Sequence, residues 1–166
     1  MNTARPQSSR LVIGDPEGVA ALEFKTFAFP LVGPATTDLP APPGAVQRDP
    51  AGRAALVHFA PGRFLAPEPT ADLVRHLGAL AATGIGVIFD VTGKWQHLVV
   101  HGSDASRLLA ATIDVAAVLV HRECAALRLF DCPSVLATRP GGFDIWVEAS
   151  YALDLRTSLE RVGGRL

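Results

Sequence analysis

The segment Phe143-Asp144-Ile145-Trp146-Val147-Glu148 constrains the fold of this chain more than any other. Side chains alternate across a strand, so Phe143, Ile145 and Val147 share one face while Asp144, Trp146 and Glu148 share the other, the mark of a sheet with one covered face. Two runs precede it, Cys124–Phe130 and Val135–Arg139, with turn residues at Asp131–Pro133 and Pro140–Gly142 between them. Three runs joined by short turns predict an antiparallel meander. Beyond it, Ser150 stands where it would cap a final helix with Tyr151, Leu155, Leu159 and Val162 on one stripe, stopped by Gly163-Gly164.

The middle of the chain mixes hairpins with helices. Leu56–Ala60 and Arg63–Ala66 flank the turn pair Pro61-Gly62. Thr70 then suits the N-cap of a helix with Leu73, Leu77 and Leu80 on one face, ending near Gly84. Ile85–Val91 and Lys94–His101, on either side of Thr92-Gly93, read as a second hairpin, and Ser103 is placed to cap a short helix carrying Leu108 and Leu109. Two successive units of hairpin then helix give only a faint hint of repetition. The class is α+β, with antiparallel sheets and helices packed on one face.

Nine of the thirteen prolines fall between Pro30 and Pro69, and Val32–Arg53 has no apolar periodicity. The expected organisation is therefore an irregular, Pro-rich N-terminal arm over residues 1–53, with one weak strand at Ala20–Phe29, and an α+β domain over 54–166. Such an arm either wraps a partner or links. At 166 residues and 49% hydrophobic content the chain has enough apolar material for a core without staples. A net charge of −1, with thirteen arginines in scattered single positions, provides no field for nucleic acid or an anionic membrane surface. The longest stretch free of Asp, Glu, Lys and Arg, His76–Phe89, contains three glycines and falls short of the roughly 20 residues of a membrane span. With no secretion-signal pattern at the start, a soluble cytoplasmic protein is expected. Cys124 and Cys132 then read as buried thiols at opposite ends of a hairpin, outside the roughly 7 Å reach of a disulfide.

Catalytic and metal-binding chemistry finds little purchase. His97 and His101 sit four apart on one strand, about 13 Å from each other and too distant for one zinc ion. His121-Arg122-Glu123-Cys124 collects a base, a cation, an acid and a thiol, but neighbours on an extended chain point to alternate faces, so the base and thiol do not meet. Gly84-Ile85-Gly86 precedes a strand instead of opening a helix and reads as a turn, not a dinucleotide cradle. Phosphate-loop, serine-hydrolase and zinc-protease signatures do not occur. No catalytic residue and no metal ligand is assigned.

Several segments nevertheless follow a known order. Val87-Ile-Phe-Asp-Val-Thr-Gly-Lys-Trp95, the strand Leu98-Val-Val100 and His101-Gly-Ser-Asp-Ala-Ser-Arg-Leu-Leu109 are followed by Asp114, Cys124-Ala125 and Phe143–Ser150 before the last helix. With the upstream Ala60–Pro67, this resembles the gamma subunit of heterotetrameric sarcosine oxidase over residues 55–162. The matching positions are Asp90, Val91 and Thr92, then Gly102, Asp104, Ala105, Leu108 and Leu109. The resemblance implies the aminomethyltransferase-like folate-binding superfold and a small subunit without an active centre. It also implies that flavin, the nicotinamide cofactor NAD and tetrahydrofolate belong to larger alpha and beta partners, none being bound by this chain. The alternative it leaves is a stand-alone tetrahydrofolate-binding protein of the same superfold. The Lys-Gly-Cys-Tyr motif of the related iron-sulfur repair proteins is not in this sequence.

A subunit of this kind needs a contact surface, and Trp95 and Trp146 are the candidates. Trp146 lies opposite Phe143, Ile145 and Val147, so it is either exposed to a partner or covered by another part of the protein. The same choice holds for Trp95.

Overall fold

A computed structural model describes residues 10–27, 39 and 42–166. Its N-terminal half contains strands β1 (Val12–Ile13), β2 (Glu17–Gly18), β3 (Ala21–Thr26), β4 (Val46–Arg48), β5 (Ala54–Ala60) and β6 (Arg63–Pro67), then helix α1 (Ala71–Ala82). Strands β7 (Gly86–Asp90) and β8 (Trp95–His101) follow, then helices α2 (Ala105–Leu109) and α3 (Val115–Val118). Strands β9 (Cys124–Leu129), β10 (Cys132–Arg139) and β11 (Gly142–Glu148) lead through a 3-10 turn, Ala149–Tyr151, into α4 (Ala152–Gly163).

All strand pairs are antiparallel and divide into two sheets. One runs β1-β8-β11-β10-β9, with β2 also on β8; the other runs β4-β5-β6-β3-β7. Residue alternation assigns each sheet two faces. On the first sheet Leu98, Val100, Leu136, Phe143, Ile145 and Val147 meet α2 and α4 through Leu108, Leu155 and Leu159. On the second, Phe24, Leu56, Phe64 and Ala66 meet Leu77 and Leu80 of α1. The remaining faces meet each other: Ala21, Val57, Phe59 and Leu65 pack with Trp95, Cys124, Val135, Ala137 and Trp146. The order is helix, sheet, sheet, helix, an α+β architecture with helices on one face of each sheet, as the sequence predicted.

Local signals explain many of the elements. Thr70 caps α1, its hydroxyl accepting from the Leu73 N–H at 3.2 Å. The β9–β10 hairpin turns on Phe130 and Asp131, both left-handed at φ 47° and 65°, a pair whose twist suits a two-residue loop. By contrast, α2 starts from Asp104 with no side-chain cap; Ser103 Oγ donates instead to the Arg10 carbonyl at 3.3 Å, while Asp104 binds the Arg10 guanidinium. Ser150 lies inside the 3-10 turn before α4, so it does not cap that helix either, and Tyr151 is exposed instead of joining the buried stripe of Ala152, Leu155 and Leu159.

Two larger expectations are corrected. β7 and β8 do not form a hairpin: β7 pairs with β3 in one sheet and β8 with β11 and β1 in the other. Between them, Asp90 Oδ1 accepts the Thr92 N–H at 2.9 Å, and Thr92 Oγ1 accepts the Ala21 N–H at 3.1 Å, so the residues that looked like a hairpin turn carry the chain from one sheet to the other. That N–H from Thr92 also holds the Asp90 carboxyl below the usual carboxylate range.

The boundary expected at residues 53 and 54 is not where the structure divides. β3 lies between β6 and β7, and β4 pairs with β5 across a tight loop in which Asp49 Oδ1 accepts the N–H groups of Ala51 and Arg53, each at 2.9 Å. Residues 10–27 and 42–53 are therefore strands and turns of the sheets, since their apolar side chains complete both cores. The rest of the expected arm, residues 1–9, 28–38, 40 and 41, lies outside the described residues, as does the expected strand beyond Phe27. Among the described residues no helix is long and apolar enough to cross a membrane.

Candidate functional site

Where the two sheets part, a cleft of about 950 Å³ opens, within the size range of small-molecule sites. One wall comes from the first sheet: His97 on β8, Asp144 and Trp146 on β11, and Arg139 at the end of β10. The other comes from the β4–β5 loop, the Pro67–Pro69 corner and the first turns of α1, including His76.

Strand register brings the first wall together. His97 stands opposite Trp146 in the β8–β11 pair, with the rings stacked at 5.2 Å between centroids and 20° between planes. Asp144, two residues from Trp146, shares its face. Its Oδ1 accepts from His97 Nε2 at 2.9 Å and from Arg139 Nη1 at 3.1 Å. The Asp144 side chain is only 10% exposed, and two charge-assisted bonds compensate the burial of its carboxylate. On the facing wall Asp49 accepts from Arg53 Nε at 2.8 Å, and the Arg53 backbone N–H is the main cause holding its carboxyl below the ordinary range.

A second set of polar groups stitches the sheets together beside the cleft. Gly44 O accepts the N–H groups of Glu123 and Cys124 at 2.7 and 3.1 Å. Glu123 accepts from the Val46 N–H and Arg48 Nη2, both at 3.3 Å, and Arg48 Nη2 also donates to Thr138 O at 2.8 Å. This is where His121-Arg122-Glu123-Cys124 lies. His121 is exposed at φ 58° while Cys124 is fully buried, its Sγ 3.4 Å from His58 O, so His121 does not reach the thiol. Burial and the neighbouring Glu123 push the Cys124 thiol up to about 12, the opposite of what a nucleophile needs. Cys132 pairs with Leu129 beside the β9–β10 turn and Cys124 with Ala137 at the far end of that hairpin; both are free thiols.

Of the histidines considered as a metal pair, His97 is tied to Asp144 and His101 is exposed at the end of β8. Among the described residues no three His, Cys, Asp or Glu side chains are grouped to hold a metal ion.

Trp95 and Trp146 are 5% and 2% exposed. The face assigned to Trp146 is correct, but the protein's own second sheet covers it. Neither ring offers an accessible contact surface, because both belong to the inter-sheet core. At about 25 cal/mol per Å² and roughly 150 to 250 Å² per aromatic, each contributes a few kcal/mol to folding. Asp144 and Arg139 are what sequence reasoning missed. The available signal was an acid set between Phe143 and Ile145 in the middle of β11; its partners come from other strands.

No protein-family model matches this chain, and no curated protein matches it. Solved structures do, 23 chains among them. A chain of the heterotetrameric sarcosine oxidase from Corynebacterium sp. U-96, solved in complex with pyrrole 2-carboxylate, superposes with a TM-score of 0.72 at 21% identity, over 93% of this chain and 84% of that one. The TATA-binding protein (TBP) of Methanococcus jannaschii reaches a TM-score of only 0.31 at 14% identity, over 91% and 95% of the two chains, and supports no shared architecture. The chain thus has the fold of a chain found in a heterotetrameric sarcosine oxidase.

Proposed function

We propose that this chain is a noncatalytic, gamma-type subunit of a sarcosine-oxidase-like flavoenzyme. The assembly would oxidise an N-methyl amino acid in the cytoplasm and pass the one-carbon unit to tetrahydrofolate, with flavin, NAD and folate held by larger alpha and beta subunits. The observation that carries this reading is the overlap of 93% of the chain with a chain of such an oxidase. The residues of the family resemblance support it from inside the fold. Asp90-Val91-Thr92 makes the crossover between sheets, and Gly102-Ser103-Asp104-Ala105 ties the start of α2 to Arg10. Both are places where a shared fold requires particular residues.

The chain's only Gly-x-Gly, Gly84-Ile85-Gly86, does not fit a dinucleotide. Gly84 ends α1 at φ 78°, and Gly86 lies so close to β3 that an added Cβ would stand 2.5 Å from Lys25 O. Co-expression of the tagged full-length chain with alpha- and beta-type subunits from the same genome tests the proposal. Co-elution in stoichiometric amounts with flavin-containing subunits is expected; elution of the chain alone would overturn it. The cleft favours one alternative, a stand-alone tetrahydrofolate-binding protein, which predicts micromolar tetrahydrofolate binding to the isolated chain by calorimetry.

A further inference from the structure

The cleft between the sheets has a chemistry that the subunit reading neither uses nor needs. We propose that it binds the oxyanion group of a small molecule, a carboxylate or a phosphate, on the Arg139 guanidinium, with His76 as a further donor.

The geometry begins with Asp144, the positioning residue. Its single oxygen Oδ1 takes one bond from His97 Nε2 and one from Arg139 Nη1, at 2.9 and 3.1 Å. Those bonds fix both side chains yet leave the remaining guanidinium N–H groups without partners among the described residues. A planar guanidinium with free N–H groups matches the two oxygens of a carboxylate or phosphate. His97 is further held flat by Trp146, so the wall beside Arg139 is formed before a ligand arrives.

The facing wall agrees. Its acids Asp49 and Asp72 are already paired, with Arg53 and Arg75. Glu68 stands exposed at the corner. His76 lines the same wall with its Nε2 buried and no hydrogen-bond partner among the described residues. A buried polar nitrogen left unmatched is uncommon and costly, and an oxyanion oxygen in the cleft is the acceptor that an Nε2–H there lacks.

The test is a titration of the intact chain with acetate, succinate and inorganic phosphate at constant ionic strength, followed by tryptophan fluorescence because His97 stacks on Trp146. The wild type should saturate, and whether carboxylates or phosphate bind more tightly identifies the source of the oxyanion. Arg139→Gln should weaken binding by about tenfold or more, while Arg107→Gln, which removes the same charge from the exposed side of α2, should leave it unchanged. A response that never saturates, that chloride reproduces, or that Arg139→Gln retains in full would overturn the proposal. Should Arg139→Gln fail to fold, modification of the wild type by phenylglyoxal decides the matter. Arg139 is expected to be protected by saturating anion, and equal labelling with and without anion would count against the site.

Discussion

The layer between the sheets has two ends made from the same strands. At one, Val57, Leu65 and Val135 pack with Trp95 in the inter-sheet core with almost no exposure. At the other, the sheets part and His97, Asp144 and Arg139 face a cleft. β11 joins them: Trp146 packs in the inter-sheet core and also lines the cleft, two residues from Asp144 on the same face. Alternation along a strand therefore fixes which face a residue occupies, while the sheet opposite decides whether that face becomes core or site.

The sharpest way to break this comparison is to remove the ring where the two ends meet. Trp146→Ala should cost the isolated chain about 3–5 kcal/mol in urea unfolding, as truncation of a fully buried aromatic does. A loss under about 1 kcal/mol would return Trp146 to a peripheral role. Next in size is Gly86→Ala, where the new Cβ would stand 2.5 Å from Lys25 O and 2.8 Å from the Phe24 ring, so a destabilisation of about 1–3 kcal/mol is expected from the same measurement.

Cys124 sharpens the contrast through pH. Burial raises its thiol to about 12 in the native state, against 9.0 as the ordinary value. Below pH 9 the thiol is protonated in both states and the contribution is unchanged. Between 9 and 12 the unfolded chain loses the proton first, so the unfolded state binds fewer protons and stability falls as pH rises. The urea midpoint should decline over that range and decline less in Cys124→Ala. Iodoacetamide at pH 8 should label native Cys124 far more slowly than the unfolded chain. Smallest of all is Leu153→Ala on the outer side of α4: Leu153 is 74% exposed, and the expected change is within about 0.5 kcal/mol.

What could be read from the sequence was local. The β9–β10–β11 meander, the β5–β6 hairpin and the Thr70-capped α1 each join neighbours in the chain through short turns, and their residues carry the period and the turn chemistry together. The β7–β8 misreading shows the limit. Thr92-Gly93 between two apolar runs has the composition of a hairpin loop, but pairing depends on β3, whose Ala21 N–H reaches Thr92 from far upstream. Likewise β4 is a three-residue strand in a proline-rich stretch, without enough length for alternation to register. The cleft was hidden for the same reason. His97, Arg139 and Asp144 lie on three strands, and only the β8–β11–β10 register makes Asp144 common to the other two. The face that Trp146 occupies could be assigned from sequence, whereas its cover could not, because that cover comes from the other sheet.

The separation of a structural end from a binding end is tested most directly by measuring urea stability and anion affinity together in Val135→Ala and Arg139→Gln. Val135 is 1% exposed in the closed end, and its truncation should cost about 1–3 kcal/mol while leaving anion affinity within about twofold of wild type. Arg139→Gln should do the reverse, keeping stability within about 1 kcal/mol and losing about tenfold or more in affinity. If both substitutions moved both quantities in parallel, the two ends would be one cooperative unit and the division drawn here would be contradicted.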